Sequence, residues 1–131
     1  MGAAPNPTGY RLPAPSTSVL ADVSMCDRGA DVVLSFLYRN GGQKYQGELV
    51  FRKVRATRRR AELHCTVEQI EGTYDTLVEV NPSDWAEEVR ADTNSQFQNQ
   101  WILRHFRIYF DSAGCYEFLA DSWERREIPT D

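Results

Sequence analysis

Residues Trp101 to Trp123, WILRHFRIYFDSAGCYEFLADSW, carry the clearest folding signal in this chain. Phe106, Ile108 and Phe110 fall on one parity, and His105, Arg107 and Tyr109 on the other. Successive strand side chains point to opposite faces, so this segment reads as a strand with one apolar side. Asp111-Ser112-Ala113-Gly114 follows, with Asp opening the turn and Gly available for a positive φ. Cys115 to Trp123 is then the return strand. A three-residue loop with a bulge pairs Phe110 with Tyr116, Ile108 with Phe118 and Phe106 with Ala120 on the apolar face. The opposite face pairs Tyr109 with Glu117 and His105 with Asp121.

Two further hairpins are expected upstream. Val32, Leu34, Phe36 and Tyr38 alternate before Asn40-Gly41-Gly42-Gln43, a turn whose glycines supply the positive φ of a two-residue connection. That register sets Leu34 against Leu49, Tyr38 against Tyr45 and Val32 against Phe51. A one-residue slip would bring Leu34 opposite Glu48, so the apolar pattern fixes the parity. Leu63, Cys65 and Val67 alternate before Glu71-Gly72, and Tyr74, Thr76, Val78 and Val80 after it. This second hairpin would place Cys65 opposite Val78 and His64 opposite Glu79. An earlier strand is expected over Val19–Cys26.

One helix is expected from Asp84 to about Ala91. Asp84 and Glu87 have capping-box spacing, and Ser83 is the competing cap. Trp85 and Val89 share a face with nearby Glu88. The first 18 residues hold four prolines and read as a flexible lead-in, leaving 19–131 as a single domain. The expected architecture is mainly β with one short helix (α+β). Its antiparallel hairpins would form a sandwich or a partly open barrel.

The chain has 131 residues, 41% of them hydrophobic and 26% charged. One domain of this size buries enough surface to fold without a metal or a disulfide. No apolar run approaches the ~18 residues of a membrane span. Cys26, Cys65 and Cys115 are widely spaced, odd in number and set in apolar stretches, which suits free thiols in a reducing cytoplasm. No cofactor signature and no metal-ligand spacing is present. The net charge is −4, but it is unevenly spread. Residues 1–60 carry ten basic and four acidic residues, whereas 61–131 carry five and fifteen. Such a division either steers a charged partner or cancels between neighbouring strands.

Three constellations could carry function. The first is acidic: Glu79 on the second hairpin, with Glu87, Glu88 and Asp92 on or beside the helix, and Trp85 as an aromatic anchor. This set suits a basic protein partner. The second is a ligand or hydrolytic site in which Asp121 orients His105, with Tyr109 and Glu117 nearby. His64 with Glu79 repeats the form, and the two pairs could hold a metal only if their faces met. The third is the basic run Arg52, Lys53, Arg55, Arg58, Arg59 and Arg60, which could contact phosphates. Nucleic acid is the weaker expectation, because the domain is acidic overall and no recognition helix or Gly-rich loop accompanies the run.

The segment HFRIYFDSAGCYEFLADSW (105–123) resembles C-terminal hairpins of small bacterial β-rich proteins, including immunity proteins encoded beside polymorphic toxins. The resemblance covers about thirty residues and assigns a role to none of them. It implies a non-enzymatic protein that neutralises a cognate toxin by covering its active site. Such proteins are commonly acidic because many of their nuclease targets are basic. The Arg52–Arg60 run departs from that pattern. The leading expectation is therefore a non-catalytic binding module of the immunity or antitoxin type. The alternatives are the His105/Asp121 site and a nucleic-acid accessory role.

Overall fold

The turn Asn40-Gly41-Gly42-Gln43 fixes the first pair of strands. Gly41 and Gly42 have φ of 61° and 83°, the left-handed region this connection requires. In the computed structural model, which describes residues 9–130, strands β3 (Asp31–Asn40) and β4 (Gln43–Arg52) flank the turn. Leu34 pairs with Leu49, Tyr38 with Tyr45 and Val32 with Phe51, the register that turn and apolar parity jointly predict.

The remaining elements are β1 (Tyr10–Arg11), β2 (Ser24–Arg28), β5 (Ala56–Arg60), α1 (Val67–Ile70), β6 (Thr76–Val80), α2 (Asp84–Asp92), β7 (Arg104–Phe110), β8 (Gly114–Ala120) and β9 (Ser122–Thr130). They form two antiparallel sheets, ordered β2-β3-β4-β9 and β1-β6-β7-β8-β5. The chain is thus mainly β, and its two sheets do not close into a barrel. No helix among the described residues is long and apolar enough to cross a membrane.

One bent ribbon joins the sheets. β4 runs on through Lys53 into β5, while β8 turns at Asp121 into β9. β4 pairs with β9 and β5 with β8. Arg52 faces Ser122, whereas Ala56 faces Leu119, so the first strand carries one extra residue across the corner. That is a β-bulge, and Lys53 within it has a φ of 53°. The Asp121 amide donates to the Arg52 carbonyl at 2.9 Å and the Arg55 amide to the Leu119 carbonyl at 2.8 Å. Strands that change sheet through a bulge make corners of this kind in sandwiches.

The inner faces meet in an aromatic core. Phe36, Tyr38 and Phe51 come from the four-stranded sheet, and Phe106, Ile108, Phe110, Tyr116 and Phe118 from the other. Phe51 and Phe118 stack with centroids 4.1 Å apart. Burying rings of this size is the dominant stabilising contribution in such a core.

Four expectations change. The third hairpin pairs Phe110 with Gly114, Ile108 with Tyr116 and Phe106 with Phe118. This shift of two residues keeps the same face inward. Gly114 opens β8 instead of ending the loop, and it is packed so closely on β5 that a Cβ there would lie 2.1 Å from the Arg60 carbonyl oxygen. Ser112, with φ 65°, supplies the left-handed turn residue. The second hairpin does not form. Glu62–His64 is a single 3-10 turn, and Thr66 caps α1 through a reciprocal pair with Gln69. β6 pairs with β7 instead, so His64 and Glu79 are not opposed. The first strand begins at Ser24, not Val19. In the expected lead-in, residues 1–8 lie outside the described residues. Residues 9–18 pack on the body: Tyr10 pairs with Leu77, Leu12 is buried, and the Ser16 amide donates to Asp75 at 3.2 Å.

Candidate functional site

The outer face of the five-stranded sheet carries side chains of opposite parity to the core: His105 and Arg107 on β7, Glu117 on β8 and Arg58 on β5. Neighbouring strands bring these distant residues together. Arg107 and Arg58 flank Glu117 directly across β7 and β5. His105 pairs through its backbone with Leu119, yet its Nε2 reaches Glu117 Oε1 at 2.6 Å. Arg107 Nε donates to the same oxygen at 2.9 Å, and Arg58 Nε to Oε2 at 2.8 Å. Glu117 is only 2% exposed. Burial acts to raise its pKa, but the hydrogen bonds from His105, Arg58 and Arg107 outweigh that and hold the carboxyl well below the usual carboxylate range.

Helix α2 seats over this cluster. Ser83 is its N-cap, accepting from the Ala86 amide at 3.0 Å, the competing cap identified in the sequence. The same hydroxyl oxygen lies 2.8 Å from His105 Nδ1. A carboxylate on Nε2 favours a proton there, which leaves Nδ1 free to accept from the serine O–H. Ser83, His105 and Glu117 thus form a continuous hydrogen-bonded chain. Trp85 meets the His105 ring edge-on at 5.1 Å, and the Arg58 guanidinium lies 4.2 Å over the Trp85 ring. Ala86 is buried beneath the helix.

The ligand site expected around His105 and Asp121 is therefore rearranged. The two-residue shift in register gives His105 to Glu117 and moves Asp121 to the corner, where its carbonyl accepts from Arg104 Nη1 at 3.4 Å. Tyr109 faces Cys115 and not Glu117. Burial and a hydrogen bond with Glu62 push its phenol up to about 12. His64 is exposed. No group of three or more His, Cys, Asp and Glu among the described residues could hold a metal ion.

The basic run is engaged within the chain. Arg52 pairs with Asp31 at 2.7 Å and with Glu124. The Arg55 guanidinium lies 3.6 Å over Trp101. Arg58 is held by Glu117. Arg59 Nη2 donates to the Ala113 carbonyl at 2.6 Å, and Arg60 Nη1 to that of His64 at 3.4 Å. Arg52 with Glu124 and Arg58 with Glu117 cancel part of the charge division between the two halves of the sequence, whereas Arg55, Arg59 and Arg60 are exposed and meet no carboxylate among the described residues.

The acidic set divides. Glu79 is held by Arg104 through two hydrogen bonds of 2.8 and 3.1 Å. Trp85 is partly buried and occupied by His105 and Arg58. Glu87, Glu88 and Asp92, with Asp84, are exposed, and no ion pair among the described residues reaches them. Arg90, on the same helix, donates to the Gln98 carbonyl at 2.7 Å.

A cleft of about 740 Å³ opens elsewhere, between the segment Ser16–Met25 and the β7–β8 turn at Asp111–Ala113, with Arg59 of β5 at its side. Of the expected site residues, only Arg59 lines it. Cys26 is exposed, Cys65 partly buried and Cys115 buried, and all three thiols are free. The sequence suggested apolar surroundings for each of them, and only Cys115 is fully enclosed.

Sequence reasoning missed Ser83 as the partner of His105 and Arg58 as the partner of Glu117. No local signal marks a contact between residues 22 or 59 positions apart. The Thr66/Gln69 capping box was a readable sign that the second hairpin would not form. No family model matches this chain, and no curated protein or solved structure matches it.

Proposed function

We propose that this chain is a binding module of the immunity or antitoxin type, and that α2 is the face it presents to a basic protein partner. The observation that carries this reading is the contrast in charge use. Arg52 and Arg58 of the basic run are held by carboxylates within the chain, whereas Asp84, Glu87, Glu88 and Asp92 are exposed and no ion pair among the described residues reaches them. Exposed charges of one sign on a rigid helix raise the association rate with an opposite surface and select against wrong partners. The Ser83 cap and the Trp85 contact with His105 fix that helix on the sheet, so its acids are presented in one geometry. Trp85 is partly buried, with the Arg58 guanidinium over its ring and His105 at its edge.

Co-purification with the product of the adjacent gene, followed by titration, tests this. Glu87→Lys with Glu88→Lys is expected to weaken the complex at least ~10-fold, about 1.4 kcal/mol. Unchanged affinity in a folded variant would overturn the assignment of α2.

A further inference from the structure

The Ser83–His105–Glu117 chain has a chemistry that docking does not use, and the geometry points to Ser83 as a nucleophile for acyl transfer. Three observations converge. His105 Nδ1 stands 2.8 Å from Ser83 Oγ, within reach of the proton it would accept. His105 Nε2 stands 2.6 Å from Glu117 Oε1, so the imidazolium formed by that transfer meets a carboxylate. Arg58 and Arg107 keep Glu117 ionised and fix its orientation. Glu117 is a positioning residue here, because it acts through His105.

Capping does not consume the serine. The Ala86 amide uses one lone pair of Oγ and leaves the O–H free to donate to His105. The amides of Asp84 and Trp85, in the first turn of α2, have no intrahelical acceptor. They lie next to Ser83 in the chain, where a developing oxyanion needs donors. Ser83 is partly exposed, whereas His105 and Glu117 are buried, so Ser83 is the member of the chain nearest to solvent.

The step is a conventional acyl exchange. Ser83 Oγ forms a bond to the carbonyl carbon of an ester while its proton passes to His105 Nδ1. The bond from that carbon to the alkoxy oxygen breaks, and His105 returns the proton to the leaving alcohol. Water then attacks the acyl-serine with His105 again taking the proton, releasing the carboxylic acid and restoring the hydroxyl. The substrate class is an ester with a neutral or cationic acyl group, because the exposed acids Asp84, Glu87 and Glu88 repel an anionic one.

A fluorophosphonate probe with the purified full chain tests this, the adduct being located by peptide mass spectrometry. Hydrolysis of p-nitrophenyl acetate is measured in parallel. The wild type is expected to carry one adduct, on Ser83. Ser83→Asn, which keeps a capping side chain and hence the helix, is expected to carry none and to lose ester hydrolysis. His105→Gln is expected to slow labelling at least ~100-fold. Glu117→Gln is expected to shift the pH profile of labelling, which a purely structural role would not do. Circular dichroism confirms that each variant is folded. Absence of an adduct on Ser83 in the folded wild type overturns the proposal. Labelling of Ser83 at the same rate in a folded His105→Gln variant does so too.

Discussion

Glu117 gathers three donors on two oxygens beneath α2, and that makes it the most consequential single residue in the protein. Its folded pKa is depressed, so the stability it contributes is fully present above its ordinary value of 4.5 and is lost as pH falls through the folded value. Glu117→Gln removes the carboxylate and leaves two guanidinium groups facing an amide. The expected cost at neutral pH is about 3 kcal/mol, the low end for a broken buried pair because Arg58 is exposed enough to be screened. Urea unfolding measures that loss. The same experiment at decreasing pH should show the wild type losing stability below about pH 4.5, and the variant much less. Equal acid limbs in the two proteins would contradict the assignment. The cysteines give a second readout at this scale. Burial pushes the Cys115 thiol up to about 12, so a thiol-specific disulfide reagent should modify Cys26 first, Cys65 more slowly and Cys115 only on unfolding. Rapid modification of Cys115 in the native protein would show its strand to be open.

Among the elements, the β7–β8 hairpin is the most constrained by a neighbour. Gly114 has a φ of 108°, and its missing Cβ makes room for the Arg60 carbonyl of β5. Gly114→Ala therefore meets both a backbone clash and an unfavourable conformation. The expected loss is about 2–3 kcal/mol or more, read by thermal unfolding. A variant as stable as the wild type would mean that β5 is not held against β8. This position also explains what was legible. The β3–β4 register follows from sequence because Gly41-Gly42 and the apolar parity demand the same pairing. In the β7–β8 hairpin the parity is legible but the register is not, because the left-handed turn residue is Ser112 while Gly114 is packed against Arg60 of β5, more than fifty positions away. Alternation at Leu63, Cys65 and Val67 suggested a strand. It equally fits a 3-10 turn followed by a capped helix, and Thr66 with Gln69 selects the latter. The helix α2 is readable from Ser83 and the polar first turn. The cluster beneath it is not, since His105, Glu117 and Arg58 meet only through strand pairing.

At the scale of the whole molecule, one bent ribbon sets the distribution of charge. By carrying β4 into β5 and β8 into β9, it places Arg58 beside Glu117 and Arg52 beside Glu124. The positive first half and negative second half of the sequence thereby neutralise one another in part, and unpaired acids remain on α2. A docking reaction driven by those acids must weaken with ionic strength, because exposed charges are screened beyond about 8 Å at physiological salt. The most direct test is isothermal titration of the purified chain with the product of the adjacent gene. It compares the wild type with a quadruple variant carrying Asp84→Asn, Glu87→Gln, Glu88→Gln and Asp92→Asn, at ~50 and ~500 mM NaCl. The account predicts a wild-type complex that weakens with salt, and a folded variant that binds at least ~10-fold more weakly at ~50 mM and is nearly insensitive to salt. A quadruple variant that binds as tightly as the wild type, with the same salt dependence, would contradict it.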